Sequence, residues 1–141
     1  MDLTRRQTMM LGLGAAIAAT LPATGFASTD LTADAIKAFT GGAEVKEGGV
    51  EIGAPEIAEN GNTVPVEVSA EGATDIILLA AGNPNPGVAT FHFGALAASS
   101  EAKTRIRLAK TQDLVAVAKL ADGSYAQAKR TVKVTIGGCG G

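Results

Sequence analysis

From Glu44 to Ile136 the chain is cut by turn-forming residues into short alternating segments, and no stretch in that span holds a helical period. A two-residue period sends successive side chains to opposite faces, so each segment buries one face only by joining a sheet. Seven segments qualify as strands: Val50–Gly53, Val64–Ala70, Ile76–Ala81, Val88–Phe93, Lys103–Ala109, Leu114–Ala121 and Tyr125–Ile136. In Val64–Ala70 the valines face inward and Pro65, Glu67 and Ser69 outward. Pro65 has no N–H to offer a neighbour, which places it on an edge or at a strand start. Thr104, Ile106 and Leu108 repeat the pattern opposite Lys103, Arg105 and Arg107. In the last segment Val132, Val134 and Ile136 are expected to face inward, with Lys133 and Thr135 outward.

Two segments break the alternation. Ile76-Ile77-Leu78-Leu79 and Leu114-Val115-Ala116-Val117 are apolar on both sides, which suits central strands or a face covered by a second chain. The expectation taken forward is a partner subunit over one of them. Asn60-Gly61, Asn83-Pro84-Asn85-Pro86 and Asp122-Gly123 supply turn chemistry. The helical stretch is Leu31 to Phe39, with Thr32 as N-cap, Asp34 in the first turn, a Leu31–Ile36 hydrophobic staple, Gly41 past its end, and Ile36 and Phe39 as docking residues. Without Trp, and with Tyr125 and four phenylalanines as the aromatics, valine, alanine and isoleucine must build the core. The expected fold is all-β: an immunoglobulin-like antiparallel sandwich of about seven strands with a short N-terminal helix.

Residues 1–27 read as an export signal. Arg5 and Arg6 precede an apolar run from Met9 to Leu21, followed by Pro22 and a small-x-small site at Gly25-Phe26-Ala27. Cleavage before Ser28 leaves a single domain, 28–141. The paired arginines in Thr4-Arg5-Arg6-Gln7-Thr8-Met9-Met10 resemble a twin-arginine (Tat) signal, with Thr8 and Met9 where Phe-Leu is usual. A Sec signal holding two arginines is the alternative; the apolar run is short for a membrane anchor. Removing Asp2, Arg5 and Arg6 with the leader leaves ten basic against thirteen acidic residues, with no basic stripe. That balance excludes nucleic acid and anionic membrane as partners.

The chain ends Gly137-Gly138-Cys139-Gly140-Gly141, directly after the last strand. Glycines flanking one cysteine make a tether, 137–141, that neither folds nor shields the thiol. Met1, Met9 and Met10 all lie in the leader, so Cys139 is the sole sulfur of the mature chain. A lone cysteine in an oxidising compartment points to intermolecular pairing or a working thiol. The tail offers no cation, metal or helix N-terminus to lower the thiol pKa, and the terminal carboxylate raises it. Activation must come from whatever receives the arm.

No other residues assemble chemistry. His92 is the one histidine, in Thr90-Phe91-His92-Phe93, and reads as a solvent-facing structural residue, since metal sites need several ligands. Carboxylates are scattered singly, and neither a Gly-rich strand-to-helix loop nor a nucleophile elbow occurs. The expectation is a non-enzymatic carrier with no metal and no cofactor beyond what Cys139 bears.

The ending Lys133 to Gly141 resembles that of SoxY, the thiosulfate-carrier subunit of the periplasmic sulfur-oxidation system. Glu56 to Val66, Asn83-Pro84-Asn85-Pro86 with Phe91, and Thr104-Arg105-Ile106-Arg107 through Thr111-Gln112-Asp113 are similar to the same family. The resemblance implies an immunoglobulin-like domain, a heterodimer with a SoxZ-like subunit, and a swinging arm with Cys139 as the attachment residue and Gly137, Gly138, Gly140 and Gly141 as flexible flanks. It implies a haem c-type enzyme that joins thiosulfate to the cysteine, a hydrolase that releases sulfate and, in some organisms, a sulfane dehydrogenase. Two other readings stand beside it. One is a Gly-Gly-ending carrier activated at its carboxylate, which the export leader opposes; the other is an exported structural module whose cysteine links two copies.

Overall fold

The computed structural model describes residues 27–137. Helix α1 (Ala27–Thr40) is followed by nine strands: β1 (Val45–Glu47), β2 (Glu51–Gly53), β3 (Ile57–Ala58), β4 (Val64–Ser69), β5 (Ala73–Ala80), β6 (Gly87–His92), β7 (Glu101–Ile106), β8 (Gln112–Leu120) and β9 (Tyr125–Val134). One sheet has the order β1-β9-β8-β5-β6 with β3 also on β9, and the other the order β2-β4-β7. The two sheets share one apolar core, in which Val64, Val68 and Ile106 of the smaller sheet meet Ile76, Leu78, Leu114, Ala116 and Val132 of the larger. All seven expected strands are present and the architecture is the expected sandwich.

The two additional strands are too short to show a period. Both run parallel to β9, β1 along its start (Val45 opposite Tyr125) and β3 along its end (Ile57 opposite Lys133). Between them they cover the outer edge of β9, whose N–H and C=O groups would otherwise offer a template for another chain. Pro65 pairs with Arg105 on β7, while β2 reaches only as far as Glu67, so the proline falls at the strand start, where its other flank has no ladder to break.

The doubly apolar segments are central strands: β5 lies between β8 and β6, and β8 between β9 and β5. Their second face is covered from within the chain. Leu79, Val115 and Val117 form a cluster with Ala35, Ile36 and Phe39 of α1, Val45 and Tyr125. Phe39 meets Tyr125 edge to face, with ring centroids 5.9 Å apart and planes at 74°. The expectation of a partner subunit over this surface is corrected accordingly. Three near-fully buried aliphatic side chains are worth roughly 1.5–3 kcal/mol each, and the helix supplies that burial itself.

Two further local expectations are corrected. Helix α1 begins at Ala27, so Thr32 is a buried residue inside it, not its N-cap, and Leu31, 45% exposed, lies within the helix and not at the N′ position of a staple. A capping preference of about 1 kcal/mol does not end a helix when preceding residues can still add turns. At the other end Gly41 and Gly42 have φ of 66° and 85°, the left-handed stop expected after the last turn. Ile136, expected to face inward, is 67% exposed. Strand β9 ends at Val134, and its pairing with β8 ends at Val132 opposite Gln112, so a side chain at 136 projects beyond the sandwich with no sheet opposite it.

Candidate functional site

The end of β9 leads along the chain to the cysteine-bearing tail, and it is held from both flanks. On the β3 side the Lys133 N–H donates to the Glu56 carbonyl at 2.9 Å and the Thr135 N–H to the Ala58 carbonyl at 3.1 Å. The Thr135 hydroxyl donates to the Glu59 carbonyl at 3.0 Å. Beyond the strand, the Gly61 N–H donates to the Ile136 carbonyl at 2.7 Å. On the β8 side the ladder has run out, and a side chain continues it: the Val134 N–H donates to Thr111 Oγ1 at 2.9 Å.

The two flanks are tied to each other. The Leu108 N–H donates to the Gly61 carbonyl at 2.7 Å, joining the loop after β7 to the loop after β3. Gly61 follows the Asn60 turn, in which the Asn60 side chain accepts from the Asn62 N–H at 3.0 Å. Behind this junction lie two buried amides. Asn83, 3% exposed, donates from Nδ2 to the Arg107 carbonyl at 2.8 Å and accepts at Oδ1 from the Ala109 N–H at 2.9 Å and from Gln112 Nε2 at 2.8 Å. Gln112 Nε2 also donates to the Lys110 carbonyl at 3.0 Å, and Gln112 Oε1 accepts from the Gly82 N–H at 2.9 Å. One side-chain pair therefore secures the backbone from Arg107 to Lys110 at three points.

Gly137 is the one residue of the expected arm among those described. A Cβ on it would sit 2.2 Å from the Ala109 carbonyl oxygen, so the backbone passes against the Ala109 peptide where any side chain would collide. Cys139, Gly138, Gly140 and Gly141 lie outside the described residues, as do Arg5 and Arg6 of the expected signal.

His92 stands elsewhere. Its ring is 75% exposed and bonds through Nδ1 to Asp75, whose other carboxylate oxygen accepts from the Thr74 hydroxyl at 2.8 Å. The hydrogen bond from His92, reinforced by that from Thr74, lowers the Asp75 pKa below its ordinary value. Phe91 and Phe93 pack on the core, leaving His92 outward as expected. Register places this pair at the far end of the sheet from the tail: Asp75 lies opposite Lys119, and Lys119 opposite Tyr125 at the start of β9. Among the described residues no group of three or more His, Cys, Asp and Glu could hold a metal ion, and no helix is long and apolar enough to cross a membrane.

In the sequence Gly61 and Asn83 read only as turn residues, and Thr111 and Gln112 only as part of a family resemblance. The signal that could have joined them is the resemblance itself. Of the segments that carry it, 56–66, 83–86, 104–113 and 133–137 meet at the same end of the sandwich, whereas Phe91 lies beside His92 towards the other.

A family model described as "Sulfur oxidation protein SoxY" matches residues 36–139, a span that includes the cysteine. Among solved structures the chain is similar to the sulfur carrier protein SoxY from Chlorobium limicola f thiosulfatophilum, with 40% identity and a TM-score of 0.68, covering 76% of this chain and 94% of that one. A superoxide reductase (neelaredoxin) from Ignicoccus hospitalis matches at 22% identity and a TM-score of 0.54, covering 62% of this chain and 80% of that one, a likeness of fold alone. No curated protein sequence matches.

Proposed function

Because the chain belongs to the SoxY family of sulfur oxidation proteins, we propose that it is a covalent carrier that holds thiosulfate-derived intermediates on Cys139 and presents them to successive enzymes. The observation that carries this reading is the convergence of four separate segments on the root of the cysteine-bearing tail. Structure invested at the exit of a tail is intelligible if what the tail bears must be delivered.

The chemistry follows from the thiol. Conjugation joins the Cys139 sulfur to the outer sulfur of thiosulfate, releasing the thiol proton and two electrons, which a haem c-type partner enzyme accepts. A hydrolase then adds water to the terminal sulfonate, sulfate leaves, and a persulfide stays on Cys139. In organisms with a sulfane dehydrogenase, that sulfur is oxidised in turn. The carrier contributes no base or acid of its own to these steps; its part is to hold the adduct covalently while partners change.

The same reading places the mature protein, 28–141, in the periplasm after export through the Tat route directed by Arg5 and Arg6. It gives the protein a SoxZ-like subunit as its heterodimer partner. The helix-covered face of β5 and β8 is already occupied, so that subunit docks elsewhere.

The test is Cys139→Ser. A hydroxyl is a far weaker nucleophile than a thiol and cannot form a disulfide bond, so sulfate production from thiosulfate in a reconstituted system should stop while thermal unfolding is unchanged. Intact mass of the wild-type protein purified from its source should show an adduct that reductant removes. Turnover by the serine variant would dispose of the carrier reading.

A further inference from the structure

We infer that Gly137 is a fixed point of the domain, seated against Ala109 by a clamp of Gly61, Thr111 and the Asn83–Gln112 pair. Glycine is required at 137 for space. Its φ is not among the positive ones, so a left-handed conformation is not the reason. An added Cβ would lie 2.2 Å from the Ala109 carbonyl oxygen, well inside van der Waals contact, and the neighbour it meets is backbone that cannot rotate away.

That backbone is also held in place. The Ala109 N–H is bound to Asn83 Oδ1 at 2.9 Å and the Leu108 N–H to the Gly61 carbonyl at 2.7 Å. Gly61 in turn binds the Ile136 carbonyl through its own N–H at 2.7 Å, and Thr111 Oγ1 takes the Val134 N–H at 2.9 Å. The chain from Val134 to Gly137 is thus fixed by two different loops, that of Gly61 and that of Ala109 and Thr111, with Asn83 bracing the second from a third.

The consequence for delivery rests on the carrier reading. With Gly137 fixed, Cys139 is two residues from a fixed point, and its reach from there is about 7 Å at full extension. A short radius about a defined origin confines the thiol to a small volume, which raises its effective concentration at a partner pocket docked against the same end.

The test measures position, not turnover. Cys139 is the chain's single cysteine, so one added cysteine at exposed Lys129 on β9 gives an unambiguous pair for nitroxide labels, with a backbone separation of at most about 35 Å by chain length. Double electron–electron resonance on the Lys129→Cys protein should give a narrow distance distribution. Gly137→Ala, which must lift the chain off Ala109, should broaden it and displace its mean. Gly138→Ala should leave the mean in place. Thr111→Val, which removes the hydroxyl acceptor at the surface, should broaden it, and Thr111→Ser should restore the narrow form; this pair decides the matter should Gly137→Ala fail to fold. A Gly137→Ala distribution identical to wild type, or one no different from Gly138→Ala, would overturn the clamp. So would equal widths for Thr111→Val and Thr111→Ser. Because no thiosulfate is present in this experiment, turnover by the Cys139→Ser variant would sink the carrier reading and leave this inference standing.

Discussion

Replacing Asn83 by alanine removes the central piece of the junction behind the tail, and the cost can be worked from its contacts. The side chain is 3% exposed and makes hydrogen bonds to the Arg107 carbonyl, the Ala109 N–H and Gln112 Nε2. Gln112 keeps its bond to the Lys110 carbonyl, so its amide is not orphaned. The Arg107 carbonyl and Ala109 N–H each lose this partner. An unsatisfied buried polar group costs about 1–3 kcal/mol, and these lie at the edge of the core where water can partly reach them, so the low end applies. The expected destabilisation is about 2–4 kcal/mol. With a urea slope of about 1.5–2 kcal/mol/M for a domain this size, the denaturation midpoint should fall by about 1–2.7 M at unchanged slope. Far-UV circular dichroism in a urea titration reads both quantities. A midpoint shift below about 0.5 M would refute the reasoning, because it would mean that water or rearranged backbone satisfies both groups and the buried amide pair is dispensable.

Phe39→Ala should lose the edge-to-face contact with Tyr125 and uncover Leu79, Val115 and Val117; for a half-buried ring the cost is about 2–3 kcal/mol, checked by urea unfolding together with increased binding of a hydrophobic dye. Asp75 has a folded pKa lowered from the ordinary 3.8, so its contribution to stability is present above that value and is lost as pH falls through the folded one. Asp75→Asn should therefore flatten the stability–pH curve below about pH 3.8 and cost under about 1 kcal/mol at neutral pH, since the pair is solvent-facing; an unchanged acid limb would refute the assignment.

The sandwich was readable because its signals are local. Alternation in Val64–Ser69 and Glu101–Ile106 states which face of each strand is buried without reference to any other strand, and Asn60-Gly61 and Asp122-Gly123 mark reversals through chemistry that spans a few residues. The doubly apolar segments announced that both faces were covered but not by what. Helix α1 supplies the cover, through contacts between Phe39 and Tyr125 that no short window contains. Strand β3 was invisible because two residues have no period; it exists through its pairing with β9.

For the site the division is sharper. The cysteine, its glycine neighbours and the absence of a base beside it in the tail are properties of five consecutive residues, and they suffice to suggest a presented thiol. How the tail is rooted is not written there. Alternation placed Ile136 inward, yet the sheet opposite ends before it, so the side chain is exposed. Gly137 looked like one more flexible residue, whereas the Ala109 carbonyl against it comes from a loop 28 positions away. Asn83 and Gln112 are 29 residues apart and become one buried unit only when β5 and β8 pair. Periodicity and composition are carried by the covalent neighbourhood, and so determine strands, turns and the bare thiol. Close approach and buried hydrogen bonding depend on which distant backbone arrives opposite, and only the folded chain decides that.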